Sequence, residues 1–191
     1  MQASTKRIAL VTGANKGIGF EIARQLAHAG LHVLLGARNA ALGEAAATQL
    51  REQKLDVQFI ELDLARPDSI EAAARLIETG FQRLDVLANN AGISYPADGP
   101  PSKASLAAVR RVMGTNFFGT LAVTQAMLPL LRKSASARVV NVSSGLGSLT
   151  LNGDPGWEFA RVKRAGYNTS KAAMNISLFS LPTNCARRRS R

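Results

Sequence analysis

The stretch Ile8-Ala9-Leu10-Val11-Thr12-Gly13-Ala14-Asn15-Lys16-Gly17-Ile18-Gly19 decides the fold. An apolar run about one strand long ends in a glycine-rich turn. A helical pattern follows, with Ile18, Ile22, Leu26 and Ala29 on one face. Strand, glycine turn and helix, in that order, are the context a dinucleotide-binding loop needs. Gly13 lets the chain turn with unrestricted φ. Gly17 leaves out a side chain where a pyrophosphate approaches the backbone, and Gly19 lets the helix pack close to the strand. The helix N-terminus offers free N–H groups and partial positive charge to phosphates. A glycine turn without a ligand has the same composition, so the rest of the chain must decide.

Outward from that stretch, strand and helix patterns alternate. Strands are expected at 7–11, 32–36, 57–62, 84–88 and 138–142. Helices are expected at 18–29, 41–53, 67–78 (with Pro67 in the first turn), 105–116 and 117–132, the last bent or ended by Pro129. A glycine-rich loop reaches about Ala165, and a helix starts near Tyr167. Buried-type strands alternating with helices imply an α/β fold, a doubly wound parallel sheet of Rossmann-like kind.

The chain has 191 residues, 46% hydrophobic and 19% charged, which suits one globular domain. Its start shows no signal peptide, and no membrane span is visible. The single cysteine, Cys185, excludes an internal disulfide framework, so a cytoplasmic location is expected. No Cys/His cluster suggests a metal, and His28 and His32 read as surface residues. The net charge is +11. Arg24, Arg51, Lys54, Arg75, Arg110 and Arg111 are scattered over helix faces with no nucleic-acid motif, so a solvated surface is expected and no specific nucleic-acid partner.

Tyr167 and Lys171 stand i,i+4 apart and share a helix face. A lysine ammonium there favours the phenolate, which makes a tyrosine an acid/base catalyst without histidine. The strand Val139-Val140-Asn141-Val142 runs into Ser143-Ser144. A hydroxyl there either faces the ligand crevice at the strand's carboxyl end or caps a turn. Asn116, inside an apolar helical stretch, reads alone as a buried, satisfied amide.

Taken in order, Thr12–Gly19, Leu62-Asp63-Leu64, Asn89-Asn90-Ala91-Gly92, Asn116, Asn141-Val142-Ser143-Ser144 and Tyr167-Asn168-Thr169-Ser170-Lys171 resemble the short-chain dehydrogenase/reductase family, in its carbonyl-reductase-like branch. The resemblance covers residues 6 to about 175. It implies hydride transfer between a nicotinamide dinucleotide and a small-molecule carbonyl or alcohol. It makes Tyr167 the proton donor, Ser144 the group that orients the carbonyl, Lys171 the holder of the nicotinamide ribose, and Asn116 the anchor of a water linking Lys171 to solvent. Cofactor contacts then fall to Gly13, Asn15, Lys16, Gly17, Ile18, Gly19, Arg38, Asp63, Leu64, Asn90, Ala91 and Gly92, besides Tyr167 and Lys171. Where an NAD site places an acid after the second strand, this chain has Ala37-Arg38, and Lys16 lies in the glycine loop. Two cations and no acid favour the 2′-phosphate of NADP(H), with NAD(H) as the other possibility.

Two departures from the family pattern stand out. Twenty-two residues separate Ser144 from Tyr167, against roughly a dozen in short members of the family. Residues 154–157 and 161–164 therefore read as an insertion beside the substrate, with Trp157 either a pocket wall or a loop anchor. The second departure lies at the end, which divides the chain into a domain of residues 1–175 and an aberrant basic tail of residues 176–191. There Pro182 stops a helix, Cys185 appears, and four arginines follow without an acid. One permitted codon set for residues 177–191, read two nucleotides later, encodes TVQLAYELRETPIK, an amphipathic helix leading into a strand. The tail therefore points to a frameshift, with a natural isoform or a designed truncation as the alternatives. A chain truncated after its fifth strand leaves an exposed apolar sheet edge and compromises a family-type homo-oligomer. The competing functions are a non-catalytic dinucleotide-binding remnant and a basic interaction protein.

Overall fold

The computed structural model describes residues 6–179. The described chain divides into two compact units, one of residues 6–91 and 122–140, the other of residues 92–121 and 141–179.

The first unit is built on a parallel sheet of order β3-β2-β1-β4-β5. Its strands are β1 (Ile8–Thr12), β2 (His32–Ala37), β3 (Val57–Glu61), β4 (Val86–Asn89) and β5 (Arg138–Asn141). Helices α1 (Gly17–His28), α2 (Ala40–Glu52) and α3 (Pro67–Phe81) connect the first four strands. Side chains alternate across a strand, so β1 serves two cores at once. Ile8 and Leu10 pack with Leu34, Ile60, Leu62, Ile77, Leu87 and Met127. Ala9 and Val11 pack with Val33, Leu35, Ala23, Ala27, Ala47 and Leu50. Local chemistry sets the helix ends. The Asn39 side chain accepts from the Leu42 amide at the start of α2, Pro67 occupies the first turn of α3, and Gln82 ends α3 at φ 63°. Among the described residues, β5 forms one sheet edge, where Val140 is 52% exposed.

The expected inner face of α1 is corrected. Its buried residues are Gly19, Ala23 and Ala27, Ile22 and Leu26 are only partly buried, and Ile18 is 66% exposed. Small residues let the helix backbone approach the sheet, so the bulky apolar residues are displaced to its flanks. His32 is also corrected. It opens β2 half-buried, its Nδ1 lies 2.8 Å from Asp56 Oδ1, and its ring centre lies 4.8 Å from that of Phe81, the two rings tilted 36°.

In the second unit, the helices expected at 105–116 and 117–132 are not separate. Helix α4 (Leu106–Met113) runs through a π-helical turn, Gly114–Gly119, into α5 (Thr120–Leu131), which continues past Pro129 and whose residues from Ala122 on belong to the first unit. After β5, Gly145–Gly147 forms a 3-10 turn, α6 spans Leu149–Gly153, and α7 spans Ala165–Phe179. The change expected at residue 176 falls inside α7. Pro182, Cys185 and the arginine-rich end lie outside the described residues.

Candidate active site

In the first unit, strand register gathers the candidate cofactor residues. Thr12 pairs with Gly36, Ala37 with Glu61, and Val11 with Ala88, all parallel. The segments that follow these strands, which hold Gly13–Gly19, Arg38, Asp63-Leu64 and Asn90-Ala91, therefore leave from the same end of the sheet. The glycine turn is held from the β4 side. Thr12 Oγ1 accepts from the backbone N–H groups of Asn90 (3.0 Å) and Ala91 (2.9 Å), and Asn90 Nδ2 donates to the carbonyls of Thr12 (3.0 Å) and Gly13 (3.1 Å). Gly13 has φ +63°, and a Cβ there would stand 2.8 Å from Ala91 Cα. A Cβ on Gly19 would collide with the Asn90 amide and the Gly13 carbonyl.

Gly17 differs from both. At φ +58° it opens onto empty space, with nothing within 4 Å of a built Cβ. It also begins α1, whose N-cap residue, Lys16, makes no side-chain cap bond. An open backbone, uncapped N–H groups and the positive end of a helix fit a phosphate. Lys16, Ile18 and Arg38 are exposed around this end and Asn15 is half-buried. Neither cation forms an ion pair among the described residues. Asp63 is partly buried and its Oδ1 accepts from the Ala65 amide two residues on at 3.0 Å, and the Leu64 side chain is buried in the core.

The second unit collects Gly92, Asn116, Ser144, Tyr167 and Lys171. Asn116 occupies the π-helical turn, which adds a residue to the helix and reorients its side chains. Its Oδ1 accepts from the Ile93 amide (2.7 Å), and its Nδ2 donates to the Ile93 carbonyl (2.9 Å) and Ser170 Oγ (3.2 Å). Lys171 is buried, its ammonium 5.7 Å from the centre of the Tyr167 ring and 2.8 Å from the Val142 carbonyl, to which it donates. Burial pushes the Lys171 ammonium below the ordinary lysine range. A Cβ on Gly92 would lie 3.5 Å from Asn116 Oδ1 and 3.7 Å from Lys171 Nζ, so Gly92 belongs to the same cluster.

Ser144 caps the 3-10 turn, its Oγ accepting from the Leu146 amide at 3.2 Å. Accepting that bond leaves the hydroxyl hydrogen available to a ligand, so the two readings of Ser144 are compatible. Gly147 sets this turn against α7, since a Cβ there would stand 2.7 Å from Lys171 Cβ. The long segment before Tyr167 folds back over the serine turn. A Cβ on Gly145 would lie 3.0 Å from the Trp157 ring, which meets Phe159 edge-on with centroids 5.5 Å apart.

Two contributors were not singled out from the sequence. Thr12 opens the glycine-loop motif in the sequence, but no role was read for its hydroxyl, which carries both bonds to the Asn90-Ala91 backbone. Asp98, in the polar proline-rich segment, accepts from the first amides of α7 some seventy residues further on. No local spacing announces that pairing.

A profile of short chain dehydrogenases matches residues 7–188. The chain belongs to this family. It is 40% identical over 182 residues to the short-chain dehydrogenase anuI of Penicillium roqueforti, covering 92% of this chain and 71% of that protein. It is 44% identical over 152 residues to carbonyl reductase [NADPH] 1 of Sus scrofa, covering 78% of this chain and 51% of the relative. A metagenomic short-chain oxidoreductase solved in complex with NADP superposes with a TM-score of 0.78 at 28% identity, over 91% of this chain and 74% of the other. The chain thus spans between about half and seven tenths of the length of these two curated relatives.

Proposed function

We propose that this chain is an NADP(H)-dependent oxidoreductase that interconverts a small-molecule carbonyl and its alcohol, with Tyr167 as the acid/base. The observation that carries this is the second-unit cluster, in which a buried lysine stands 5.7 Å from the Tyr167 ring and Ser144 keeps a hydroxyl hydrogen to donate. Family membership and the carbonyl reductase relative support the reaction class. In reduction, the Tyr167 hydroxyl gives its proton to the carbonyl oxygen, and the phenolate left behind is stabilised by the Lys171 ammonium. Ser144 donates a hydrogen bond to the same oxygen and holds the carbonyl in place. In the alcohol-to-carbonyl direction the phenolate takes the proton back. The bound nicotinamide supplies or accepts the hydride.

In the first unit, the open backbone at Gly17 and the uncapped start of α1 would hold the pyrophosphate, and Asp63-Leu64 the adenine end. Lys16 and Arg38 would pair with a 2′-phosphate, a reading that the NADP complex among the structural neighbours supports.

The test follows the loss of NADPH absorbance against a panel of ketones, with the alcohol identified by chromatography. Tyr167→Phe keeps the ring and removes the proton. It should lower kcat by about 10²- to 10⁴-fold while NADPH binding, read by fluorescence titration, stays nearly intact. Undiminished turnover by this variant would overturn the assignment, and NADPH binding without turnover of any carbonyl by the parent would make the chain a binding remnant.

A further inference from the structure

We infer that Asp98 is a positioning residue for Tyr167, a remote cap that fixes the start of the tyrosine helix; this rests on the reading of Tyr167 as the acid/base. The Asp98 side chain is buried, and Asp98 is 2% exposed. Its Oδ1 accepts from the Gly166 amide at 2.6 Å and its Oδ2 from the Tyr167 amide at 2.8 Å. The neighbouring Gly99 carbonyl accepts from the Ala165 amide at 2.9 Å. The first three N–H groups of α7, which a helix cannot satisfy internally, are thus all taken by residues 98 and 99. A cap ordinarily comes from the residue just before the helix. Here it comes from 68 and 69 positions away in sequence.

No lysine, arginine or histidine forms an ion pair with Asp98 among the described residues. Its charge is met by these amides and by the positive end of α7, so a shift of the helix start would leave a buried carboxylate undersolvated. The packing leaves little slack. A Cβ on Gly166 would stand 3.1 Å from Asp98 Oδ1 and 3.1 Å from Val109 Cα. The loop is itself pinned, with the Asp98 amide donating to the Tyr95 carbonyl (3.0 Å) and the Ser105 amide to the Ala97 carbonyl (3.1 Å).

Tyr167 is therefore held from both sides of its own peptide links. Its N–H goes to Asp98, and its carbonyl accepts from Ser170 Oγ at 2.8 Å, an oxygen that in turn accepts from Asn116. Fixing both links fixes where the Cα–Cβ bond of Tyr167 points, and so where the phenol can reach. Misplacement of a reacting group by about 1 Å can cost 10²-fold in rate.

The test compares Asp98→Asn, Asp98→Ala and Gly166→Ala with the parent in the full chain, using NADPH and a ketone turned over by the parent. Asp98→Asn keeps the shape and one acceptor oxygen but aims an NH₂ group at the second amide. Gly166→Ala keeps the carboxylate but crowds it, since the added Cβ would stand 3.1 Å from Asp98 Oδ1. The expected result is a kcat lowered about 10- to 100-fold in Asp98→Ala, with smaller losses in the other two. The KM for the ketone and the NADPH affinity should not change. Amide hydrogen exchange is measured in parallel, and protection at residues 165–167 should fall in all three. Unchanged protection, or protection lost with kcat intact, would overturn the inference. If the parent turns over no ketone, the functional reading fails on its own, and the exchange data still decide whether Asp98 holds the helix.

Discussion

Lys171 carries an electrostatic cost that a pH series can isolate. Its ammonium is buried and burial pushes it below the ordinary lysine range, and among the described residues no acid forms an ion pair with it. Between that lowered value and the unfolded value of about 10.4, the folded chain binds fewer protons than the unfolded chain. Stability from this group therefore rises with pH across that window, and the cost of charging is felt in full below it. Lys171→Met keeps the length and removes the charge. The stability of the parent relative to this variant, from denaturant midpoints, should rise as pH is raised from neutrality towards about 10.4. A difference that is flat or falls with pH would mean that the charge is not penalised. Arg38 poses the converse case, a charge fully available to a ligand. Arg38→Asp should reverse the preference between NADPH and NADH, by repelling a 2′-phosphate and accepting from a 2′-hydroxyl. One charge-assisted hydrogen bond corresponds to about 10- to 100-fold in affinity for NADPH. Equal affinity of the parent for both cofactors would sink this.

At the scale of elements, the proposed reading extends to substrate choice through the segment between Ser144 and α7. Trp157 covers Gly145, the residue after Ser144, and Phe159 backs it, while Leu149, Leu151 and Phe159 keep exposed apolar surface. If Ser144 orients the carbonyl as proposed, an apolar wall beside it would favour bulky apolar carbonyls. Trp157→Ala should lower kcat/KM for an apolar cyclic ketone by about 10- to 100-fold, since lost apolar contacts in a pocket are worth about 1–3 kcal/mol. A small polar carbonyl should lose little. Equal losses for both would make Trp157 an anchor of its loop and no more. Only the cap at Ser144 was legible in residues 144–164, as one of two readings of its hydroxyl; the packing of the Trp157 ring over Gly145 was not, because no local spacing announces a ring set over a glycine. Strands β1, β2 and β4 were legible because burial on both faces of the sheet demands continuous apolar runs, and α3 because Pro67 marks its first turn. The inner face of α1 was misread because hydrophobicity marks Ile18 and Leu26, whereas close approach selects Gly19, Ala23 and Ala27. The π-helical turn at Asn116 left no signal either, since its extra residue does not alter the apolar pattern.

At the scale of the molecule, stability and candidate chemistry lie at opposite ends of the first unit's sheet. The residues that would meet the cofactor follow the carboxyl ends of the strands. At the other end Asp85, just before β4, gathers three segments. Its Oδ2 accepts from the Ile8 amide at 2.8 Å and from Arg83 Nε at 3.2 Å, and its Oδ1 accepts from Ser134 Oγ at 2.6 Å. Its backbone continues the tie, with the Asp85 amide donating to the Ile8 carbonyl and the Arg138 amide donating to the Asp85 carbonyl, both at 2.9 Å. Burial alone would push the Asp85 carboxyl up, but the bonds from Ser134, Ile8 and Arg83 outweigh it and hold the group below the ordinary carboxylate range. The unfolded chain then binds the proton more readily, so the stability Asp85 contributes is complete above an unfolded value of about 3.9. It is lost as pH falls through the lower folded value. Asp85→Asn preserves the outline, removes the charge and leaves one of the donors poorly matched. At neutral pH it should destabilise the chain by about 1–3 kcal/mol. The gap between parent and variant should hold down to about pH 4 and close below it, as the parent's own carboxyl takes up its proton. Because Asp85 is remote from the carboxyl ends of the strands, NADPH affinity measured on the folded fraction should not move. Urea denaturation of both proteins at neutral pH and at several acid values reads the gap directly. A gap that persists unchanged at the lowest pH would show that the shape of the side chain, and not its charge, ties β1 to β4.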